Sequence, residues 1–151
     1  MGATAFCFAK FAMNAFGGDS AGESPNIDFL SDTIKCALFT SDHAPEYADE
    51  FYDGAHGMTE VSPEGTTYVT GGKALTGKEL ECVDKVTTFK AADVSWESPS
   101  GITARYACIY DDTPASNKPF LWWIDLGADS SCSGTWFLGW DAAGIATITV
   151  A

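Results

Sequence analysis

After residue 26, hydrophobic and polar residues alternate in several short segments, and this pattern predicts short β-strands. In Thr33–Thr40, for example, the even-numbered and odd-numbered side chains would point to opposite faces of a sheet. Phe120–Leu126 is apolar on both faces, as expected of a central strand. The predicted strands are Thr33–Thr40, Glu79–Val83, Val86–Phe89, Val94–Trp96, Thr103–Tyr110, Phe120–Leu126, Trp136–Trp140 and Ile145–Val150.

About eight short strands separated by turn residues predict a mainly β protein. The fold class is a single antiparallel β-sandwich, jelly-roll or immunoglobulin-like, or a barrel-like domain, with a short N-terminal helix. We place this domain at residues 27–151. Asp141–Gly144 is predicted to be the hairpin connection between the last two strands.

The first 18 residues differ from the rest because they are apolar and follow a helical spacing. Phe8, Phe11 and Ala12 fall on one face, and a glycine pair follows, so the pattern predicts a helix over Ala3–Phe16. The opposite side of this helix is also apolar, and a partner chain is one way to bury it. Residues 1–18 are therefore predicted to form an apolar N-terminal helix or arm. Nothing basic precedes the apolar run, unlike in a signal peptide.

Ser41–Pro63 is rich in acidic and aromatic residues and does not alternate. It is predicted to hold one short helix around Glu46–Tyr52. Otherwise it is a long excursion from the sheet, of the kind that tends to carry contacts or function.

The chain of 151 residues has 21 acidic and 8 basic side chains, which gives a formal charge of −13. This balance opposes nucleic-acid binding, which depends on Lys and Arg displacing counterions. It also opposes docking on anionic lipid, and no apolar run reaches the roughly 18 residues of a membrane span. We therefore predict neither a nucleic-acid nor a membrane partner. Hydrophobic residues make up 46% of the chain, enough for a core.

Few residues suggest catalytic chemistry. The five cysteines lack C-x-x-C spacing, and Cys36 and Cys108 lie in apolar runs that predict buried free thiols. His43 and His56 lie among acidic residues, so a metal-dependent hydrolase stays open as an alternative, although exposed neutral histidines are far commoner. No nucleotide-binding or nucleophile motif occurs. We predict no catalytic residue, no metal and no cofactor, and therefore not an enzyme.

Trp122 and Trp123 are adjacent and would point to opposite faces of their strand. Three interpretations remain open for them: core residues, a subunit interface, or a platform on which a sugar stacks.

Several segments together resemble a family of small proteins encoded among the structural genes of tailed bacteriophages. The resemblance covers roughly Asp28–Ala151, and its most specific parts fit A-D-[DV]-x-W and I-T-A-R-Y-A-x-I-Y. The segments that carry it are Asp28–Ser41, Tyr68–Leu75, Ala92–Trp96, Ile102–Tyr110, Ile124–Gly127 and Trp140–Val150. The resemblance implies a virion component and carries over no catalytic residue.

We therefore expect a bacteriophage virion structural protein, assembled in the host cytoplasm and located in the virion. Within that class we favour a capsid decoration or cement protein that binds the major capsid protein or other virion proteins as a homo-oligomer, for which a trimer suits threefold positions. A tail, neck or fibre component is one alternative, and a carbohydrate-binding host-attachment module is another. The candidate interface residues are Phe6, Phe8, Phe11, Phe16, Tyr47, Phe51, Tyr52, Trp122 and Trp123.

Overall fold

The computed structural model describes residues 4–16, 26–54 and 56–150. These ranges hold eight strands and one short helix. The elements are β1 (Thr4–Cys7), α1 (Phe11–Ala15), β2 (Ile34–Phe39), β3 (Lys73–Ala74), β4 (Glu79–Val83), β5 (Val86–Lys90), β6 (Val94–Asp111), β7 (Phe120–Leu138) and β8 (Ala146–Thr149).

The strands form two antiparallel sheets. The large sheet has the order β1-β7-β6-β2-β3, and the small sheet has the order β4-β5-β8. The larger hydrophobic cluster joins side chains of β2, β6 and β7 to Phe89 of β5, so it packs between the sheets. The predicted fold class is confirmed: the domain is mainly β and sandwich-like, with a short helix near its N-terminus.

A second hydrophobic cluster covers the other face of the large sheet. It contains Ala37 and Phe39 of β2, whereas Ile34, Cys36 and Leu38 belong to the first cluster. The alternation predicted for this strand is therefore confirmed. Because the central strands are buried on both faces, their sequences are apolar almost throughout.

Two long strands replace four of the predicted short ones. β6 and β7 have 18 and 19 residues and pair along most of their length. The segment Ser98–Gly101 resembles a turn in sequence, but the ladder shifts register there and then continues. Gly101 has φ 91°, a conformation that favours glycine. A β-bulge thus accommodates residues that ordinarily end a strand.

The N-terminal segment is half strand rather than all helix. Thr4–Cys7 is β1, and only Phe11–Ala15 is helical, so the predicted helix is wrong over its first half. β1 pairs with the apolar start of β7, and Phe6 stacks on Trp123 there. For Thr4–Cys7, pairing with β7 and packing on its apolar surface are therefore more favourable than the helix that the local spacing predicts. Residues 1–3 and 17–18 of the predicted arm lie outside the described ranges.

The excursion from residue 41 to residue 63 contains turns, and the helix predicted around Glu46–Tyr52 is absent from its described residues. The end of the excursion returns along β2, where the Val61 amide donates to the Leu38 carbonyl (2.9 Å). Its middle is tied to the β6–β7 turn by the Tyr52 amide, which donates to the Lys118 carbonyl (2.8 Å).

The carboxylate of Glu60 anchors this excursion to the rest of the chain. Glu60 accepts hydrogen bonds from the hydroxyls of Tyr52 (2.6 Å) and Tyr68 and from the amide of Gly71 (2.7 Å). The Tyr68 hydroxyl in turn accepts from the amide of Leu38 (2.9 Å). Burial and then the neighbouring Glu60 carboxylate raise the pKa of Tyr68, so this phenol stays protonated as a donor.

The chain does not end in the predicted hairpin. Asp141–Gly144 forms a tight turn, in which the Gly144 amide donates to the Asp141 carbonyl (2.8 Å). However, β8 pairs with β5 in the small sheet and not with β7. The turn therefore carries the chain from one sheet to the other.

All five cysteines are free, and Cys36 and Cys108 are buried as predicted. Burial raises the pKa of the Cys36 thiol to about 12, so Cys36 stays uncharged and behaves as a small hydrophobic residue.

Within the described ranges, no helix is long and apolar enough to cross a membrane.

Candidate docking surface

Four of the nine candidate interface residues are core residues of the chain itself. Phe8, Phe11, Trp122 and Trp123 are between 1% and 7% exposed and contact one another and their neighbours in the two clusters. The prediction that they present a surface to a partner is corrected by this burial. The two adjacent Trp residues do point to opposite faces, as predicted, because each enters a different cluster.

The other tryptophans do not form an exposed sugar platform. Trp96 and Trp136 are 3% exposed and pack on each other with ring centroids 5.8 Å apart. Trp140 is half-buried, and its indole N–H donates to the Ala92 carbonyl (3.0 Å). These positions suit a structural role.

The N-terminal segment and the acidic excursion meet over Trp123. Phe6 stacks on this ring at 5.1 Å, and Tyr47 approaches it edge-on at 5.0 Å. The Ala9 amide donates to the Tyr47 carbonyl (3.0 Å), which ties the two segments together. Phe6 is half-buried and Tyr47 is 58% exposed, so only the outer part of this aromatic group faces solvent.

Phe51 and Tyr52 hold the excursion against the large sheet. Tyr52 stacks on Tyr110 with centroids 4.1 Å apart, and Phe51 bridges to Pro119. The Tyr110 hydroxyl donates to the Gly71 carbonyl (2.7 Å). Both predicted residues are half-buried and serve contacts within the chain.

Phe16 is the remaining candidate, and it is 91% exposed. It stands at the rim of an apolar groove of about 360 Å³, which lies between α1 and the small sheet. We call this cavity the α1 groove. Buried aromatic and aliphatic side chains line its floor, and more exposed apolar side chains line its rim. The floor residues are Phe11, Phe29, Phe89 and Leu121, and the rim residues are Phe16, Leu80 and Ile148.

The register of the small sheet explains the α1 groove. Leu80 pairs with Phe89, and Ile148 pairs with Thr87, so all four side chains lie on one face. Phe89 is covered by Phe29 and Trp122, at centroid distances of 5.3 and 4.9 Å. Leu80 and Ile148 lie further along the same face and remain 44% and 47% exposed. The small sheet is therefore only partly covered on its apolar face.

The α1 groove is nearly free of charge in a strongly acidic chain. Among its described lining residues only Asp28 is charged. Its carboxylate accepts hydrogen bonds from the amides of Leu30 (3.1 Å) and Ser31 (3.2 Å), and these bonds lower the pKa of Asp28. The Lys78 ammonium lies 5.9 Å from the Phe29 ring centroid. An apolar partner would meet little repulsion here.

The two histidines have different polar partners. The Met58 amide donates to Nδ1 of His56 (3.1 Å), so Nε2 carries the proton and donates to the Tyr52 carbonyl (2.9 Å). His43 is exposed, with Nε2 3.6 Å from a carboxylate oxygen of Glu46. Among residues 4–16, 26–54 and 56–150, no group of three or more His, Cys, Asp and Glu side chains is arranged to hold a metal ion.

Of the residues that line the α1 groove, Phe11 and Phe16 are among the predicted site residues, whereas Leu80, Ile148, Phe29, Phe89 and Leu121 are not. Alternation in Glu79–Val83 does place Leu80 on an apolar face. That pattern cannot tell which part of the face another segment covers, because the covering residues come from distant parts of the chain.

No protein-family model matches the chain, and no curated protein or solved structure shows significant similarity to it.

Proposed function

We propose that this chain is a bacteriophage virion structural protein, and within that class a capsid decoration or cement protein. The proposal assigns it an adhesive role without catalysis or a cofactor. It acts by burying its apolar surface on the major capsid protein or another virion protein, as one of many repeated subunits.

The observation that carries an adhesive role is the α1 groove. Phe16 is almost fully exposed beside Leu80 and Ile148, and the described lining holds one charge in a chain of net charge −13. Exposed apolar patches of this kind are typical of interaction sites. The virion setting is supported by the sequence resemblance, above all in Ala92–Trp96 and Ile102–Tyr110.

The mechanism is selective binding to the assembled shell. A ligand that binds one state of an assembly and not the other stabilises the state it binds. A groove that receives a side chain of the shell, repeated at every copy, would raise the stability of the shell without any chemical step. An interface of roughly 800 Å² for each partner suffices for such binding.

Particles produced without this protein provide the test. Purified wild-type chain is added to them, and its occupancy is measured by density in electron microscopy. We expect Phe16→Ser to weaken binding about 10- to 100-fold, which corresponds to losing the burial of one Phe side chain. Phe137→Ser is the matched control, because Phe137 is also exposed (62%) but lies outside the α1 groove. Equal occupancy by both variants would contradict the proposed role of the groove.

The copy number separates a shell protein from a tail, neck or fibre component. Hundreds of copies on the intact particle support decoration of the shell, whereas about six or twelve, as the symmetry of necks and tails requires, support the alternative. Absence of the protein from purified particles would overturn the virion assignment altogether.

A further inference from the structure

β1 forms one edge of the large sheet, and no strand of the described ranges pairs with its outer side. The Phe8 amide donates to the Leu121 carbonyl (3.1 Å), so these two residues form a hydrogen-bonded pair. Such pairs alternate along an antiparallel ladder, so Phe6 also bonds towards β7. Ala5 and Cys7 therefore direct their backbone N–H and C=O groups away from the sheet.

Among the described residues, Thr4–Cys7 lacks the features that ordinarily protect an edge strand, and the excursion reaches this side only beyond it, where the Ala9 amide donates to the Tyr47 carbonyl. Natural sheets block their edges with charged residues, proline or a covering segment. The outer strand β4 of the small sheet carries Glu79 and Glu81, whereas Thr4–Cys7 has neither a charge nor a proline. No backbone hydrogen bond from another described segment reaches the amides of Ala5 and Cys7.

Two adjoining clefts run beside the same edge. The first, of about 410 Å³, lies between Ala5–Cys7 and residues 143–147, with Trp122 in its lining. The second, of about 440 Å³, continues past Ala5 to Ile124 and Trp140. An extended residue in a sheet occupies about 160 Å³, so each cleft admits about two to three residues of a further strand.

The clefts also carry an unbalanced negative charge. Asp141 lines both of them and is exposed. Its carboxylate accepts a hydrogen bond from the Ala143 amide (2.8 Å), and no Lys or Arg of the described ranges forms an ion pair with it. A basic side chain on the incoming strand would be attracted to this carboxylate.

We propose that the free edge of β1 accepts an extended segment of another polypeptide, with small or β-branched side chains and one Lys or Arg near Asp141. The segment adds a strand to the large sheet through the outward backbone groups of Ala5 and Cys7. One face of it rests on Trp122 and Ile145. Main-chain bonds give such strand addition its affinity, and the side-chain contacts give it specificity. This site is separate from the α1 groove and does not rest on the proposed virion function.

The probe is a capped six-residue peptide of alternating threonine and valine with one central lysine, added to the full chain. Binding is measured by the alkylation rate of Cys7, which lines the first cleft, with Cys132 as an internal reference. We expect millimolar peptide to slow alkylation of Cys7 at least about tenfold and to leave Cys132 unchanged. The same peptide N-methylated at every residue should give no protection, because it lacks backbone donors.

Matched variants test the two parts of the site. Ala5→Pro removes the outward N–H and should abolish protection, whereas Ala5→Val keeps that N–H and should retain it. Asp141→Asn should weaken the lysine peptide about two- to fivefold, and exposed Asp42→Asn should not. No protection at millimolar peptide, or equal protection by the N-methylated peptide, overturns the proposal. Dimerisation of the chain that Ala5→Pro abolishes, without peptide binding, also overturns it, because the edge would then belong to a second copy.

Discussion

The two sheets of this sandwich differ in how many of their faces are covered. The central strands of the large sheet are buried on both sides, and Phe120–Ile124 in β7 has no residue more than 6% exposed. In the small sheet, all five residues of β4 are exposed. Only Phe89 of its apolar face lies fully in the core.

Because of this difference, we expect the large sheet to determine the stability of the fold and the small sheet to provide a surface for binding. The large sheet holds most of the buried apolar area, which is the main source of folding free energy. The small sheet contributes Phe89 to that core but leaves Leu80 and Ile148 half-exposed at the α1 groove. Changes in the large sheet should therefore alter stability, and changes at the rim of the groove should alter binding.

Removing Trp122 should have the largest effect. Trp122 is 4% exposed and contacts Phe11, Phe29 and Phe89, so its loss leaves a cavity between the sheets. We expect Trp122→Ala to lower the free energy of unfolding by about 3–5 kcal/mol in urea denaturation. Ile148→Ala, in the small sheet, should cost about 0.5 kcal/mol. Similar losses for both variants would contradict the division of roles.

The end of β6 carries a buried acid whose ionisation opposes folding. Asp111 is fully buried, its Oδ1 accepts from the Thr113 amide (2.8 Å), and its carboxyl group lies beside that of Asp32. Burial raises the pKa of Asp111 to about 6, and the nearby Asp32 carboxylate adds to this rise. Folding therefore favours the protonated acid, so its stabilisation is complete below pH 4 and is lost as the pH rises through 6.

Asp111→Asn imitates the protonated acid and should remove this pH dependence. At pH 8 we expect the variant to be more stable than the wild type by about 2–3 kcal/mol, and the gap should close near pH 4. Urea denaturation between pH 4 and pH 8 measures it, with exposed Asp42→Asn as the control. A variant that is less stable than the wild type at pH 8 would mean that the ionised carboxylate is needed there.

Tyr68 and Tyr52 both donate a hydrogen bond to Glu60, but Tyr68 is buried and Tyr52 is half-buried. Tyr68→Phe leaves the buried Leu38 amide without its acceptor as well as removing the bond to Glu60. We expect it to cost about 1–3 kcal/mol, and Tyr52→Phe, which loses one bond at a half-buried site, about 0.5–1.5 kcal/mol. Thermal unfolding of the two variants checks the order, and the reverse order would show that Tyr52 is the main anchor of the excursion.

Local sequence predicts the strands whose pattern of hydrophobic and polar residues agrees with their pairing in the sheets. The strands Ile34–Phe39, Glu79–Val83 and Val86–Lys90 follow the predicted positions because alternation is a local signal. Local sequence does not predict the N-terminal strand, because its pairing partner lies more than 100 residues away in β7. The long strands β6 and β7 were divided because glycine and serine within them resemble turns, and only the paired strand shows that they are bulges.

The candidate site was predictable only in its residue types. The sequence predicts Phe16 as an interface residue because it is apolar and lies in the N-terminal segment, and Phe16 does lie at the groove. Phe8 and Phe11 have the same character but are buried, because β1 and α1 pack on β7. Which of several apolar side chains stays exposed depends on long-range packing, which periodicity does not record.

The smallest expected effect on stability comes from substitutions at the rim of the α1 groove. These substitutions test whether the rim forms an apolar binding surface, and they should leave the fold unchanged. Leu80 and Val83 are both exposed residues of β4 but lie on opposite faces, and only Leu80 lines the α1 groove. We expect Leu80→Thr and Val83→Thr each to change the free energy of unfolding by no more than about 0.5 kcal/mol, since threonine suits a strand. Only Leu80→Thr should lower the fluorescence of a bound apolar dye such as anilinonaphthalene sulfonate. If Val83→Thr lowers the fluorescence equally, the dye does not report the groove, and the small sheet offers no distinct apolar surface there.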